Sequence, residues 1–337
     1  MSLNPSLIAQ GLSRSFSGRT VVDQANLLIE PGQVTALIGP SGSGKTTLLR
    51  MLAGMETPDT GTVRSGEDVL SGPQTFIPIE KRRIGLVFQD FALFPHLSVL
   101  GNVMFGLHKL PKPDRVVQAD IWIERLGLTH RRDAYPHQLS GGEQQRTAIA
   151  RALAPKPVAI LLDEPFSGLD PAMRDQARTA ALEAVRAAEI PALLVTHDAA
   201  EALVHADQVA VIHEGRILQC DTPDMVYRSP NNIAVARALG PLHEIAASSL
   251  PDAWRAQLGT TSETLYYRPE AIRVGEGVAC TISRTRLAGP TTQLDLKLSE
   301  TATIVAACQP GRALAAGETV RASLNPDFVF DFSEKPL

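Results

Sequence analysis

Short unbroken apolar runs punctuate the first two thirds of the chain. They are Val34 to Ile38, Ile84 to Phe88, Ala159 to Leu162, Ala192 to Val195 and Val209 to Ile212. Runs of four or five apolar residues without polar alternation predict strands buried on both faces. Between them the apolar spacing lengthens to the helical period. Thr47 to Ala53 reads as a helix, patterns after Phe91 run helically through Leu107, and others recur around Ile121, Ile123, Leu126 and Leu128. Pro111 and Pro113 separate these two stretches. The expectation is an α/β domain over residues 1–240 with a mainly helical subdomain at about 91–155. Within it, residues 7–30 read as strands, a further strand starts near Thr62 after the turn signal Asp59-Thr60-Gly61, and residues 209–217 read as a closing hairpin. Asp221 to Pro230 reads as linker, followed by a short helix through Leu239. After Gly240 the texture becomes strict alternation, as in Leu294-Asp295-Leu296-Lys297-Leu298 and Val320-Arg321-Ala322-Ser323-Leu324. With glycine and proline turns this predicts a small antiparallel β-barrel over 241–337.

Composition narrows the function. The 337 residues are 44% apolar, enough for two cored domains, and the net charge is −4. That balance argues against a nucleic-acid-coating protein or a polybasic membrane binder. No apolar run reaches the ~18 residues of a bilayer span, and Met1 to Ser15 lacks the pattern of a signal peptide. Cys220, Cys280 and Cys308 share no metal-ligand spacing and read as reduced thiols.

The chemistry gathers where the apolar runs end. Gly39-Pro40-Ser41-Gly42-Ser43-Gly44-Lys45-Thr46 follows the first run and opens a helix, the context that confirms a phosphate loop. Its N–H groups and the helix N-terminus make a nest for anionic oxygens. Lys45 adds a charge for the outer phosphates, and the Thr46 hydroxyl is a hard ligand suited to Mg²⁺. Gln89 ends the second run and can touch a cation and a water, although a surface Gln is the commoner occupant of such a position. Asp163 and Glu164 end the third run. Asp163 can reach Mg²⁺ through water, and Glu164 can position or deprotonate a water. His197 ends the fourth run and can donate to a phosphate oxygen, and Asp198 with Glu201 caps the helix after it. Three readings stay open. Phe16 is either a purine-stacking ring or a core residue. The segment Phe91 to Leu97 is either a docking patch or core. Ser140 with Glu143 has capping-box spacing, and Ser140-Gly141-Gly142 is either a plain cap or a second anion-binding helix terminus.

In this order the motifs resemble those of the ATP-binding cassette (ABC) ATPases: phosphate loop, Gln89, Leu139-Ser140-Gly141-Gly142-Glu143-Gln144-Gln145-Arg146, Asp163-Glu164, Ser167-Gly168-Leu169-Asp170 and Thr196-His197-Asp198. The resemblance covers residues 7 to about 240. It implies that Phe16 stacks on adenine and that Gly39 to Thr47, including Thr47, hold the phosphates of ATP. Thr46 and Gln89 would ligate Mg²⁺, with Asp163 supporting it. Glu164 would be the catalytic base and His197 the γ-phosphate switch. Ser140, Gly141 and Gly142 would contact ATP held by a second subunit, with Asp170 at the homodimer seam. The Arg268-Pro269-Glu270 element resembles the TOBE-type accessory domain of bacterial importer ATPases. Leu93 to Val99 and Asn102 to Leu107 resemble the same importers, and within them the ferric-iron systems. Polyamine, sulfate, sugar and phosphonate importers share these motifs. The implied partners are two integral-membrane permease subunits and, indirectly, a periplasmic or surface substrate-binding protein, at the cytoplasmic face of the inner membrane. A P-loop kinase or GTPase fits less well, because it leaves the 139–146 segment without a purpose. A soluble ABC ATPase of DNA or ribosomes would carry paired cassettes or a long coiled coil, and this chain has neither.

Overall fold

The apolar runs lie side by side in one sheet. In the computed structural model, which describes residues 4–169, 171–309 and 314–333 apart from the side chains of 171–174 and 176, the strand order is Arg216–Asp221, Gln208–His213, Val34–Ile38, Ala192–Val195, Ala159–Asp163, Ile84–Val87. All neighbouring pairs are parallel except the hairpin at the first edge. Phe88 falls just outside its strand and is 36% exposed. A second, antiparallel sheet contains Leu7–Phe16, Arg19–Ile29 and Thr60–Ser65, with two short strands at its edge.

The parallel strands are mostly apolar because both faces are covered. Ala159 and Leu161 enter a core shared with Leu7, Leu12 and Val63 of the antiparallel sheet and Leu48 and Leu52 of the helix Lys45–Ala53. Ile160 and Leu162, one residue out of phase, enter a second core with Trp122, Ile149, Leu153 and Val185. That second core belongs to the expected helical region, whose main helices are Val99–Met104, Lys112–Arg125 and Gly141–Leu153. Its leading segment is neither wholly patch nor wholly core. Phe91 is buried, whereas Phe94 lies against Phe105, which is 57% exposed. The fully buried Asn102 holds this loop: it accepts from Phe94 N–H at 2.9 Å and donates to the carbonyls of Phe94, Leu97 and Ser98 at 3.0–3.2 Å.

The chain divides into compact units between Asp224 and Met225. The stretch read as linker contains the helix Pro223–Arg228. Proline at its first position, an acidic second residue and the buried Val226 explain it. In the second unit the alternating segments form a curled antiparallel sheet, half of a barrel, in the order Thr303–Cys308, Thr291–Lys297, Ile272–Ala288, Thr319–Leu324. Leu294, Leu296, Ala322 and Leu324 face its core. The Arg268-Pro269-Glu270 element fastens this unit internally. Arg268 is fully buried, its guanidinium 3.9 Å from the Tyr227 ring centroid, and it donates to the Tyr227 carbonyl at 3.4 Å. Glu270 accepts from the Tyr227 hydroxyl. Burial, then that hydrogen bond, pushes the Tyr227 phenol up to about 12.

Candidate active site

Every motif at the end of a parallel strand emerges on the same edge of the sheet, because parallel strands share a carboxyl end. In register, Val87 pairs with Leu162, Asp163 with Val195, and Val195 with Leu37. Gln89, Asp163, Glu164, His197 and the phosphate loop therefore leave adjacent strands at one level.

The loop needs its glycines. A Cβ on Gly39 would lie 2.1 Å from the Ile212 carbonyl oxygen, and one on Gly44 would lie 2.6 Å from that of Val21. Gly44 also has φ +105° and makes no side-chain cap, so the helix Lys45–Ala53 starts with its N–H groups open. Lys45 is buried and donates to the carbonyls of Gly39 at 2.8 Å and Pro40 at 3.0 Å. Burial lowers its pKa, against the opposing charges of Glu164 and Asp163. Burial raises the Asp163 carboxyl, as does Glu164 beside it, while Arg50 and Lys45 work the other way. Thr46 is exposed in the first turn and Thr47 is partly buried. Pro40, Ser41, Gly42 and Ser43 border a cavity of about 630 Å³ closed by Arg19 to Val21 and His213 to Gly215. No sequence signal marked this second wall. It is built by Gly215 N–H donating to the Ser43 carbonyl at 3.0 Å. Phe16, opposite Arg19 in its hairpin, is 41% exposed with the Arg14 guanidinium 4.9 Å from its ring centroid, so it is not core.

Glu164 leaves the sheet with φ +44°, a conformation costly for any non-glycine residue. Its N–H donates to the Val195 carbonyl at 2.9 Å, and its Oε2 lies 2.9 Å from His197 Nδ1. Gln89 Nε2 donates to Ser167 Oγ at 3.3 Å, and Ser167 Oγ donates to the Glu164 carbonyl at 3.0 Å. Asp198 caps the helix Ala199–His205 by accepting from Ala200 and Glu201 N–H. Glu201 does not share that cap. Its buried carboxylate accepts from the hydroxyl of Thr196, the residue before His197.

The Ser140 turn stands apart. Among the described residues no hydrogen bond joins Ser140, Gly141 or Gly142 to the phosphate loop. The capping box is complete: Ser140 N–H donates to Glu143 Oε2 at 2.8 Å, and Glu143 N–H lies 3.4 Å from Ser140 Oγ. Glu143 Oε1 accepts from Arg131 Nε at 3.0 Å. Burial favours protonation of Glu143, but the Ser140 and Arg131 hydrogen bonds outweigh it and hold the carboxyl at about 2. Asp170 lies outside the described residues.

The chain is similar to known proteins in sequence and fold. The ABC transporter family profile matches residues 22–167, and the TOBE domain profile matches residues 266–331. A Pectobacterium atrosepticum protein, "Fe(3+) ions import ATP-binding protein FbpC 2", is 46% identical over 230 residues, covering 68% of this chain and 66% of that protein. A Rhodococcus jostii protein of the same name is 39% identical over 306 residues, 87% of each chain. The solved dimeric structure of the ATP-binding cassette MJ0796, in a post-hydrolysis state bound to ADP and Pi, aligns with TM-score 0.57 at 28% identity over 64% of this chain and 98% of that one. With a relative matched along 87% of its length, the chain belongs to the ABC transporter family, as an ATPase cassette followed by a TOBE domain.

Proposed function

We propose that the protein is the ATP-hydrolysing subunit of a membrane importer, that it works as a homodimer on two permease subunits at the cytoplasmic face of the inner membrane, and that its cargo is ferric iron. The cargo reading rests on the Fe(3+) import names of its relatives, the dimer on the MJ0796 cassette. No helix among the described residues is long and apolar enough to cross a membrane, so the permeases would supply the span. The pair of Phe94, on the loop held by Asn102, and the exposed Phe105, just past the helix Val99–Met104, is the surface they would press on.

The observation that carries the reading is the joint emergence of Lys45, Asp163, Glu164 and His197 at one sheet edge. The loop N–H groups and Lys45 bind the phosphates, and Phe16 offers a face to the base. Mg²⁺ fits the donor set: Thr46 hydroxyl, Gln89 amide oxygen and Asp163 carboxyl are hard oxygens, and the crowded Asp163–Glu164 pair is relieved by a cation. When bound, it would neutralise charge on the outer phosphates. Glu164 orients and deprotonates the attacking water, and His197 holds Glu164 in place while reaching for the γ-phosphate. Ser140, Gly141 and Gly142 of the second copy complete the enclosure. Glu164→Gln should retain ATP binding and a closed dimer while hydrolysis falls by about 10²–10⁴. A phosphate-release rate near wild type would remove Glu164 from the role of base.

A further inference from the structure

Ser140 has one hydroxyl proton, and Glu143 holds it. Ser140 Oγ donates to Glu143 Oε2 at 2.9 Å, on the same oxygen that takes the Ser140 N–H at 2.8 Å. The other carboxylate oxygen is fixed by Arg131 at 3.0 Å, with His130 Nε2 at 3.3 Å. The side chain of Glu143 is only 10% exposed, so it has little freedom to swing away.

We propose that Glu143 is a positioning residue that sets the direction of the Ser140 hydroxyl: anchored by Arg131, it keeps the hydroxyl proton inside the turn, so that Ser140 can donate to a phosphate oxygen only by leaving Glu143. The inference rests on the cross-subunit reading of Ser140 given above. Its chemistry is that of donor count. An ionised carboxylate accepts only, and a hydroxyl has one proton to give. Contact with the terminal phosphate is therefore an exchange of one charge-assisted hydrogen bond for another, and the dimer closes at a higher ATP concentration than a free serine would allow. Glutamine at position 143 removes the charge. Its amide oxygen, in the place of Oε2, still accepts the Ser140 N–H and preserves the capping box, but it holds the hydroxyl without charge assistance, about half as strongly. Its NH₂ takes the other position, where it meets the Arg131 and His130 nitrogens as a donor and loses the anchor.

The test is a double-mutant cycle in protein that also carries Glu164→Gln, so that hydrolysis does not drain the complex. The measurement is the ATP concentration for half-maximal dimerisation, by sedimentation. Glu143→Gln should lower it about fivefold where Ser140 is present, the roughly 1 kcal/mol by which a charge-assisted hydrogen bond exceeds a neutral one. The same substitution should do nothing in a Ser140→Ala background. Arg131→Met, which loosens the anchor without touching the turn, should shift dimerisation in the same Ser140-dependent way by less, and it carries the test should Glu143→Gln fail to fold. An equal shift in both backgrounds means charge acting through space and overturns the inference, as does no shift with Ser140 present. If Ser140→Arg leaves dimerisation unchanged, the cross-subunit reading falls first and the inference with it.

Discussion

Two helices in this molecule begin in glycine-rich turns, and they begin in opposite ways. Lys45–Ala53 starts after a left-handed glycine with no side-chain cap, and Lys45 lies beside Asp163 and Glu164 at the end of one parallel strand. Gly141–Leu153 starts with a complete capping box, its serine bonded back to Glu143. An uncapped N-terminus with a buried lysine in its first turn is prepared to hold an anion by itself. A capped one, whose hydroxyl is already engaged, meets an anion brought to it and must give something up. In the function proposed above, the first turn is the binding site and the second its lid.

The comparison breaks most sharply at Ser140. Ser140→Arg should abolish ATP-driven dimerisation, followed by sedimentation, and leave nucleotide binding to the single copy intact. Lost binding would mean that the two turns serve one site within one copy. Lys45→Ala should have the opposite profile. Removing its charge-assisted bonds to phosphate should weaken ATP binding by about 3–5 kcal/mol, a 10²–10³-fold or larger rise in Kd by calorimetry. A change below tenfold would show that the loop N–H groups suffice.

Arg82 supports the far end of the open-ended helix. It is 2% exposed and donates to the carbonyls of Met51 and Leu52 at 2.8–2.9 Å, as well as to Ile77, Leu70 and Ser71. Arg82→Met leaves those buried acceptors unpaired and should cost about 2–3 kcal/mol in denaturant unfolding. A cost under about 0.5 kcal/mol, the surface-substitution level, would show that the contacts are dispensable.

The smallest effect is acid sensitivity of the second turn. Glu143 has a folded pKa of about 2, below the ordinary 4.5. The unfolded chain therefore takes up the proton first as pH falls. The stability that Glu143 contributes is present above 4.5 and is lost on the way down to 2. The gap in unfolding free energy between wild type and Glu143→Ala, on the order of 1–2 kcal/mol near neutrality, should close over that window. A gap that stays constant to pH 2.5 would place its stabilisation in packing instead.

Much of this was legible before any coordinates. The four- and five-residue apolar runs marked the parallel strands, and the residues that end them, Gln89, Asp163 and His197, were marked with them, because an all-parallel sheet delivers every carboxyl end to one side. What escaped detection lacked a local pattern. The wall from His213 to Gly215 depends on a hairpin folding back to Ser43, a contact across 172 positions in the chain. Pro223–Arg228 looked like linker because a six-residue helix has too few turns to show a period. Arg268 was recognised as part of a motif, yet its burial against Tyr227 follows from tertiary packing alone. The same holds for Glu201, whose spacing fits a cap but whose carboxylate turns inward to Thr196.

The central claim is that one nucleotide is held between the open turn of one copy and the capped turn of another. The most direct test is a crystal structure of the Glu164→Gln protein with ATP and Mg²⁺. Ser140 Oγ and the Gly142 N–H of one copy should lie about 2.7–3.1 Å from oxygens of the terminal phosphate bound at Lys45 of the other. A triphosphate at Lys45 with the Ser140 turn of both copies facing solvent would contradict the account.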